Sequence, residues 1–221
     1  MNKLPFDPYD FFGYLSSGLL ILVGMDIVLG FPSILGRDLK VVDSAIFVIA
    51  VYVTGQIIAS PAKALLEDGL VGKVLGRPNV NLFREKKPRI RGLLFPGFYL
   101  PLPEKTGKKV LDKAENEGVK GPGEDLFLHV RYSPPILQDQ RLMEKLNSFI
   151  NKYGFSRNLS FSALLVGIGC LIKMFVSFDS NNDLRKYGIT VLITAIFLFY
   201  RYLKFFRQYS YEMFNTYAGA K

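Results

Sequence analysis

Residues 41–60 read VVDSAIFVIAVYVTGQIIAS, a run in which Asp43 is the only charged side chain. A helix of about 20 residues rises about 30 Å, which is the thickness of the hydrocarbon core of a bilayer. Three other stretches of the chain have a similar length and composition. The sequence therefore predicts four transmembrane helices, at residues 9–31, 41–60, 159–178 and 187–206.

The composition supports this interpretation. The chain has 221 residues, of which 49% are hydrophobic and 14% aromatic, and its mean hydropathy is +0.20. One compact soluble domain of this size rarely buries so many apolar side chains, so the excess needs lipid or a partner. The alternative is a pair of buried soluble hairpins. Soluble helices alternate polar and apolar faces, however, and these segments hardly do.

The distribution of Lys and Arg predicts the orientation of the four helices. The connections at 32–40 and 179–186 hold two cations each, whereas the loop at 61–158 holds eighteen and the tail from 201 holds four. The positive-inside rule places the N-terminus, the long loop and the C-terminus in the cytoplasm. We expect an all-α membrane protein of the cell inner membrane. Its predicted parts are a first hairpin at 1–60, a mostly helical, loop-rich cytoplasmic insert at 61–158, a second hairpin at 159–206 and an amphipathic tail at 207–221.

The insert contains FREKKPRIRGLLFPGFYLPLP at 83–103, which we call the basic–apolar segment. Clustered cations are attracted to the anionic headgroups of the cytoplasmic leaflet, at about 1 kcal/mol each. One interpretation places its apolar side chains at the membrane interface or against the helix bundle, and the other places them in a small soluble core. The side chains concerned are Leu93, Leu94, Phe95, Phe98, Tyr99 and Leu102. The cations predicted to contact lipid headgroups or a partner, here and near the spans, are Arg84, Lys86, Lys87, Arg89, Arg91, Arg157, Arg201, Lys204 and Arg207.

Local patterns predict the elements of the insert. A short helix is expected at 61–75, where Leu65, Leu66, Leu70, Val74 and Leu75 lie near helical spacing, with its end at Gly76. Residues 103–123 are predicted to be a linker or a short helix near 108–117, and 126–132 reads as a strand. The apolar repeat of residues 142–153 predicts a helix that ends at Gly154.

Ionisable side chains inside a span are costly, so they are candidates for a functional role. Asp26 and Lys173 both lie near the outer end of their spans, and Asp43 begins the second span. An ion pair between Asp26 and Lys173 would lock the hairpins together or gate a path between them. The alternative is that each side chain reaches interfacial water on its own.

Three pairs of small residues at i and i+4 predict close helix packing, either within the bundle or between copies in a homo-oligomer. The pairs are Gly13 with Ser17, Gly55 with Ala59, and Ala163 with Gly167. The tail RYLKFFRQYSYEMFNTY at 201–217 alternates cations and rings, which predicts an aromatic membrane anchor passing into a membrane-surface or partner-binding helix. Single-stranded nucleic acid binds similar patterns, but lipid explains these residues beside a span, so we do not expect nucleic-acid binding.

The sequence carries no signature of catalysis, metal or cofactor. One cysteine, Cys170, and one histidine, His129, leave no spaced pair for zinc, and no glycine motif of the phosphate-binding type follows a strand. An acid–base site can be drawn from His129 with Glu124 and Asp125, but nothing else supports it. We therefore expect a protein that is not an enzyme and needs no cofactor.

At KYGFSRNLSFSALL (152–165) and RYLKFFRQYSYEMFNTY (201–217) the chain resembles small bacterial membrane proteins of anti-phage defence operons. In outline it is similar to the membrane subunit of the Kiwa system, and no motif with an assigned role is shared. The resemblance implies a non-enzymatic, homo-oligomeric membrane sensor or effector that docks a cytosolic partner. A small channel or transporter acting alone is the alternative.

Overall fold

The computed structural model describes residues 8–30, 40–86, 88–176 and 182–220, and these residues contain no β-strand. Most of them are helical. The helices are α1 (Pro8–Leu29), α2 (Val41–Ala62), a π-helix (Lys63–Leu75), α3 (Pro78–Asn81), α4 (Arg89–Leu94), α5 (Glu104–Asn116), α6 (Glu124–Arg131), α7 (Pro134–Leu137), α8 (Gln140–Val176) and α9 (Asn182–Gly219).

Four helical stretches are long and apolar enough to cross a membrane, by length and composition. They comprise α1, α2 with its continuation to Asn81, α8, and α9 from Asp183 onward. Each contains the main part of one predicted span. The prediction of an all-helical chain with four helices of membrane-spanning length is therefore confirmed, while insertion into a membrane stays a prediction.

The chain divides into two compact units. Unit 1 consists of the described parts of Met1–Asp68 and Gly154–Tyr202, and contains α1, α2 and the apolar parts of α8 and α9. Unit 2 consists of Gly69–Tyr153 with the described part of Leu203–Lys221, and contains α3 to α7.

In unit 1, α1 and α2 contact each other backbone to backbone. A Cβ atom added at Gly18 would lie 1.8 Å from the carbonyl oxygen of Val51, and one added at Gly55 would lie 1.9 Å from that of Tyr14. Only glycine fits at either position, because any side chain would have to push the helices apart. Small residues allow such close approach in membrane helices, where dispersion rather than the hydrophobic effect drives packing.

Glycines also mediate the packing of α8 in unit 1. A Cβ atom at Gly24 of α1 would lie 2.3 Å from a methyl group of Val166, and one at Gly167 would lie 2.6 Å from the side chain of Leu192 on α9. Cys170 is fully buried beside these contacts. The α8 helix therefore has α1 on one side and α9 on another.

Unit 2 has a hydrophobic core of its own. Its centre is formed by side chains from α5, α6 and α7, together with the first turns of α8 and the last turns of α9. Phe83 packs edge-on against Phe214, with 5.0 Å between the ring centroids. The most buried members of this core are Val110, Ala114, Leu126, Val130, Ile136, Met213, Phe214 and Tyr217.

Residues 126–132, predicted to be a strand, form most of helix α6, so that prediction is wrong. Leu126 and Val130 are buried one helical turn apart, whereas Leu128 is exposed. In so short a run, the spacing of the apolar residues is compatible with both the two-residue repeat of a strand and the 3.6-residue repeat of a helix. Packing against the core of unit 2 favours the helix. Acidic side chains in the first turn and basic ones in the last turn also favour this helix.

Gly154 does not end a helix, contrary to the prediction, because α8 continues through it to Val176. A glycine stop requires a left-handed backbone, and Gly154 is not among the glycines with positive φ. By contrast, α5 does end with such a glycine. Gly118 has φ +88° and donates its N–H to the carbonyl oxygen of Glu115, while Val119 donates to that of Ala114.

Residues 61–75 are helical, as predicted, but most of this stretch is a π-helix. Hydrogen bonds in a π-helix join residues five apart, so its buried face repeats less often than that of an α-helix. Leu66, Val71 and Leu75 are buried accordingly, and the predicted apolar positions Leu65, Leu70 and Val74 are exposed. The stretch predicted as linker or short helix is the 13-residue helix α5, with Val110 and Ala114 buried.

The tail is a continuation of α9, which ends at Gly219. Tyr209, Phe214 and Tyr217 are buried in the core of unit 2. Tyr209 and Phe214 belong to the tail that was predicted to be a membrane-surface or partner-binding helix, and the structure places these two rings in the core of unit 2. Their apolar area is used within the chain, because α5 and α6 offer the matching apolar faces.

Candidate membrane-interface site

The basic–apolar segment divides into a buried half and an exposed half. Phe98, Tyr99 and Leu102 are buried, at 4%, 2% and 5% exposure. The hydroxyl of Tyr99 donates to the carbonyl oxygen of Leu75 at 2.7 Å, and the N–H of Leu102 donates to that of Leu82 at 2.8 Å. Burial raises the pKa of Tyr99, and the charges of Arg91 and Arg84 oppose this rise. The burial of this half agrees with the interpretation that places its apolar side chains in a small soluble core.

The other half carries exposed apolar side chains on α4. Ile90 and Leu93 lie three residues apart on this short helix, and their exposures are 75% and 82%. Leu94 is also more than half exposed. Large apolar side chains exposed side by side mark a surface that contacts a protein or a membrane.

Cations lie on α4 and in the residues just before it. Arg84, Lys86, Arg89 and Arg91 are exposed, and Lys87 lies outside the described residues. The guanidinium of Arg91 donates to the carbonyl oxygen of Val74, which ties the start of the segment to the end of the π-helix. Arg89 and Arg91 thus lie on either side of Ile90 in the sequence of α4.

Arg207 holds the far end of the segment to α9. Its Nε and Nη2 donate to the carbonyl oxygen of Leu100 at 3.1 and 2.8 Å, and its guanidinium lies 5.3 Å from the centre of the Tyr211 ring. Burial lowers the pKa of Arg207, and its interaction with Tyr211 partly offsets this. Arg207 thus positions the segment, although the sequence predicted it as a contact to headgroups or a partner.

Arg157 also has partners inside the chain. Its guanidinium forms an ion pair with Glu67 and donates to the side-chain oxygen of Asn158 at 3.1 and 3.2 Å. Both members of the ion pair are largely buried, at 12% and 16% side-chain exposure. This arrangement links α8 to the π-helix within unit 1. The structure therefore does not present Arg157 to lipid headgroups, whereas Arg201 and Lys204 are exposed on α9.

The three ionisable residues predicted at membrane depth do not come together. The ammonium of Lys173 donates to the carbonyl oxygen of Ile27 at 2.8 Å, and among the described residues it has no carboxylate partner. Asp26 is half-buried on α1, and Asp43 is exposed in the first turn of α2. A negative charge in that turn is favourable, because it lies at the positive end of the helix dipole.

The predicted small residues pack within the chain. Gly13 faces Phe155, and Ser17 is fully buried, with its hydroxyl donating to the carbonyl oxygen of Gly13 at 2.9 Å. Gly55 and Gly167 form the close contacts described above, and Ala163 is buried while Ala59 is half-buried. The signal missed in the sequence was Gly18, whose contact with Val51 is the closest of these.

A cluster around Glu117 joins α5, α6 and α9 in unit 2. Glu117 accepts hydrogen bonds from His129 at 2.6 Å and from the hydroxyl of Tyr217 at 3.0 Å. Lys113 lies 4.5 Å from the centre of the Tyr217 ring and donates to the carbonyl oxygen of Ala220 at 3.3 Å. The cluster fastens the end of α9. Sequence spacing could not reveal it, because the three elements are distant in the chain.

The cluster shifts the ionisation of two members. Burial, together with the hydrogen bond to Glu117 and its negative charge, raises the pKa of Tyr217 to about 12. For Glu117, desolvation acts to raise the pKa, but the hydrogen bonds from His129 and Tyr217 and the nearby charges lower it below its usual value. Each shift favours the form that makes these hydrogen bonds, a neutral tyrosine and a charged carboxylate.

No group of three His, Cys, Asp or Glu side chains is placed to hold a metal ion in the part of the chain that the structure describes.

Neither a family model, nor a curated protein, nor a solved structure matches the chain significantly. The class defined by fold and site is thus an all-helical protein with four helices of membrane-spanning length and an exposed basic–apolar surface.

Proposed function

We propose that this chain is a multi-pass protein of a bacterial inner membrane with both termini and unit 2 in the cytoplasm, and that α4 lies in the anionic headgroup layer. We further propose that it is a non-enzymatic, oligomeric sensor or effector of a defence-type system, which docks a cytosolic protein and perturbs membrane integrity. The observation that carries the proposal is the exposed pair Ile90 and Leu93, on a helix that also exposes Arg89, in a chain with four apolar helices.

The chemistry of α4 fits the headgroup layer better than bulk water or hydrocarbon. Arg89 can meet a phosphate while Ile90 and Leu93 enter the boundary between headgroups and acyl chains. Leaving two such side chains in water forgoes about 1.5–3 kcal/mol each, and lipid contact recovers part of that. The same geometry suits a sensor, because a helix in the headgroup layer responds to changes in lipid charge and packing.

Hydrogen exchange can test the lipid contact on the full chain in nanodiscs. We expect the amides of residues 89–94 to exchange more slowly in discs that contain phosphatidylglycerol than in discs of phosphatidylcholine alone. The double variant Ile90→Gln with Leu93→Gln should lose this protection. Leu137→Gln on α7, another exposed leucine of unit 2, is the matched control and should keep it. Equal exchange in the two lipids would show that α4 does not contact anionic headgroups.

A small channel or transporter acting alone is the second candidate. It is favoured by Ser162 of α8, whose hydroxyl is buried in unit 1 and has no hydrogen-bond partner among the described residues. Inducing expression with a membrane-potential dye, alone and with neighbouring genes, separates the two. Depolarisation only with a partner supports the sensor or effector, and constitutive flux of a particular solute supports the channel.

A further inference from the structure

One face of α2 is exposed in the part of the chain that the structure describes. Val51 and Gly55 are buried where α2 meets α1, and the opposite face is exposed along the length of the helix. The exposed residues on that face are separated alternately by four and three positions. They are Val42, Ile46, Ile49, Val53, Gln56 and Ser60, which we call the α2 seam.

The spacing of the seam is that of a helix pair. Side chains repeating at intervals of four and three stay on one side of a helix and face a neighbour along several turns. Most membrane helix bundles use this geometry, with crossing angles of about 20°. Val and Ile predominate in the seam, and their branched side chains are stiff, so little entropy is lost when they pack.

Gln56 distinguishes the seam from an ordinary lipid-facing surface. Its Nε2 donates to the hydroxyl of Tyr52 at 3.0 Å, and the side chain makes no other hydrogen bond with the described residues. Gln56 lies fifteen residues after Val41, which places it about 22 Å along α2 and still within the thickness of the hydrocarbon. The bond to Tyr52 uses one N–H, so the amide oxygen and the second N–H of Gln56 have no partner among the described residues. Unsatisfied polar atoms are costly in hydrocarbon, so these two groups require a polar partner.

We propose that the partner is Gln56 of a second copy, and that the α2 seam is the interface of a homo-oligomer. An amide has both a donor and an acceptor, so two copies related by a twofold axis satisfy each other reciprocally. A polar residue at one seam position also fixes the register of a helix pair. The inference rests on the proposed function in one respect, the insertion of α2 into a membrane.

Oxidative cross-linking in native membranes tests the interface. Ile49→Cys places a thiol in the seam, and Val48→Cys places one at an exposed position outside it. A disulfide needs Cα atoms within about 7 Å, so only thiols facing each other across the interface react readily. We expect a disulfide-linked dimer from Ile49→Cys and little from Val48→Cys. The native Cys170 is fully buried, and the unsubstituted chain is the control for any disulfide that Cys170 forms.

The role of the amide is tested in the Ile49→Cys background. We expect Gln56→Leu to reduce the cross-linked fraction about threefold to tenfold, as for other hydrogen bonds between membrane helices. Thr194→Val is the matched control, because the exposed Thr194 hydroxyl already donates to the carbonyl oxygen of Thr190 at 2.9 Å. It should leave cross-linking unchanged.

Three results would overturn the interface: equal cross-linking from positions 48 and 49, no effect of Gln56→Leu, or a cross-link to a different protein. Alkaline carbonate extraction of the same membranes separates this failure from that of the proposed function. A chain that stays in the membrane without cross-linking refutes the interface alone, and a chain that is extracted refutes insertion.

Discussion

Cations of similar sequence context have different roles in this structure. Arg157 lies on α8 and Arg207 on α9, and each is held by an oxygen of its own unit. Arg89 is exposed on a helix with two exposed apolar neighbours. Charge alone predicted all three as contacts to headgroups or a partner. Burial and hydrogen bonding separate the structural cations from those that remain available to a phosphate.

The Glu117 cluster gives a prediction about alkaline pH. The pKa of Tyr217 is about 12 in the folded chain and 10.0 for an unperturbed tyrosine. Its contribution to stability is therefore complete below pH 10, and it is lost as the pH rises through about 12. In an absorbance titration of the 12 tyrosines, Tyr217→Phe should remove one late-ionising group, and Glu117→Gln should make that group ionise earlier.

The amplitude of the late component in the unsubstituted chain is the reference for that titration. If Tyr217→Phe left this amplitude unchanged, the hydrogen bond between Tyr217 and Glu117 would not exist in solution. The pKa shift of Glu117 has the opposite direction, so this residue affects stability at acidic rather than alkaline pH. Its pKa is lowered, so its contribution to stability is present above its ordinary pKa of 4.5 and is lost below it.

Replacing a glycine by alanine should have opposite effects on stability in α2 and in α8. Gly55 is packed against the backbone of Tyr14, whereas a Cβ atom at Gly154 would meet nothing within 4 Å. Gly55→Ala should destabilise the chain by about 1–3 kcal/mol, the usual cost of overpacking. Gly154→Ala should stabilise it by about 0.5–1 kcal/mol, because alanine favours a helix more than glycine does.

Thermal unfolding of the two variants in the same detergent measures this difference. The melting temperature should fall for Gly55→Ala and rise for Gly154→Ala relative to the unsubstituted chain. A melting temperature that is unchanged by Gly55→Ala would contradict the close contact between α1 and α2. The control also tests whether α8 is continuous at Gly154, since a helix that ended there in a left-handed turn would be destabilised by alanine.

Sequence patterns predicted the long elements better than the short ones. A run of 20 apolar residues has few structural solutions, so the four long helices could be predicted from length and hydropathy. Residues 126–132 and Gly154 were misread because their local signals are weak, and packing in unit 2 and continuity of α8 decide their conformation. The π-helix was missed because its buried face, at Leu66, Val71 and Leu75, follows a different period.

The composition of the candidate site could be predicted from the sequence, but the burial of its side chains could not. The cations and apolar residues of 83–103 are visible in the sequence, but which of them are buried depends on contacts with distant residues. Phe98, Tyr99 and Leu102 are buried, and the Tyr99 hydroxyl donates to the carbonyl oxygen of Leu75, whereas Ile90, Leu93, Leu94 and Leu100 are exposed. Tertiary contacts of this kind cannot be obtained from spacing.

The proposed function requires that four helices cross a membrane with residues 61–158 inside the cell. The positive charge is concentrated in that stretch, which carries eighteen of the 28 Lys and Arg residues. The orientation rule gives most weight to cations near the ends of the spans, and those on the predicted inner side are Lys63, Lys73, Arg157, Arg201, Lys204 and Arg207.

Labelling of Lys108→Cys in intact cells with a membrane-impermeant maleimide tests this claim most directly. Lys108 lies on the exposed side of α5, and Arg37→Cys, in the connection at 32–40, is its counterpart on the opposite predicted side. We predict that Arg37→Cys reacts in intact cells and that Lys108→Cys reacts only after permeabilisation. Labelling of Lys108→Cys in intact cells would contradict the topology on which the proposed function rests.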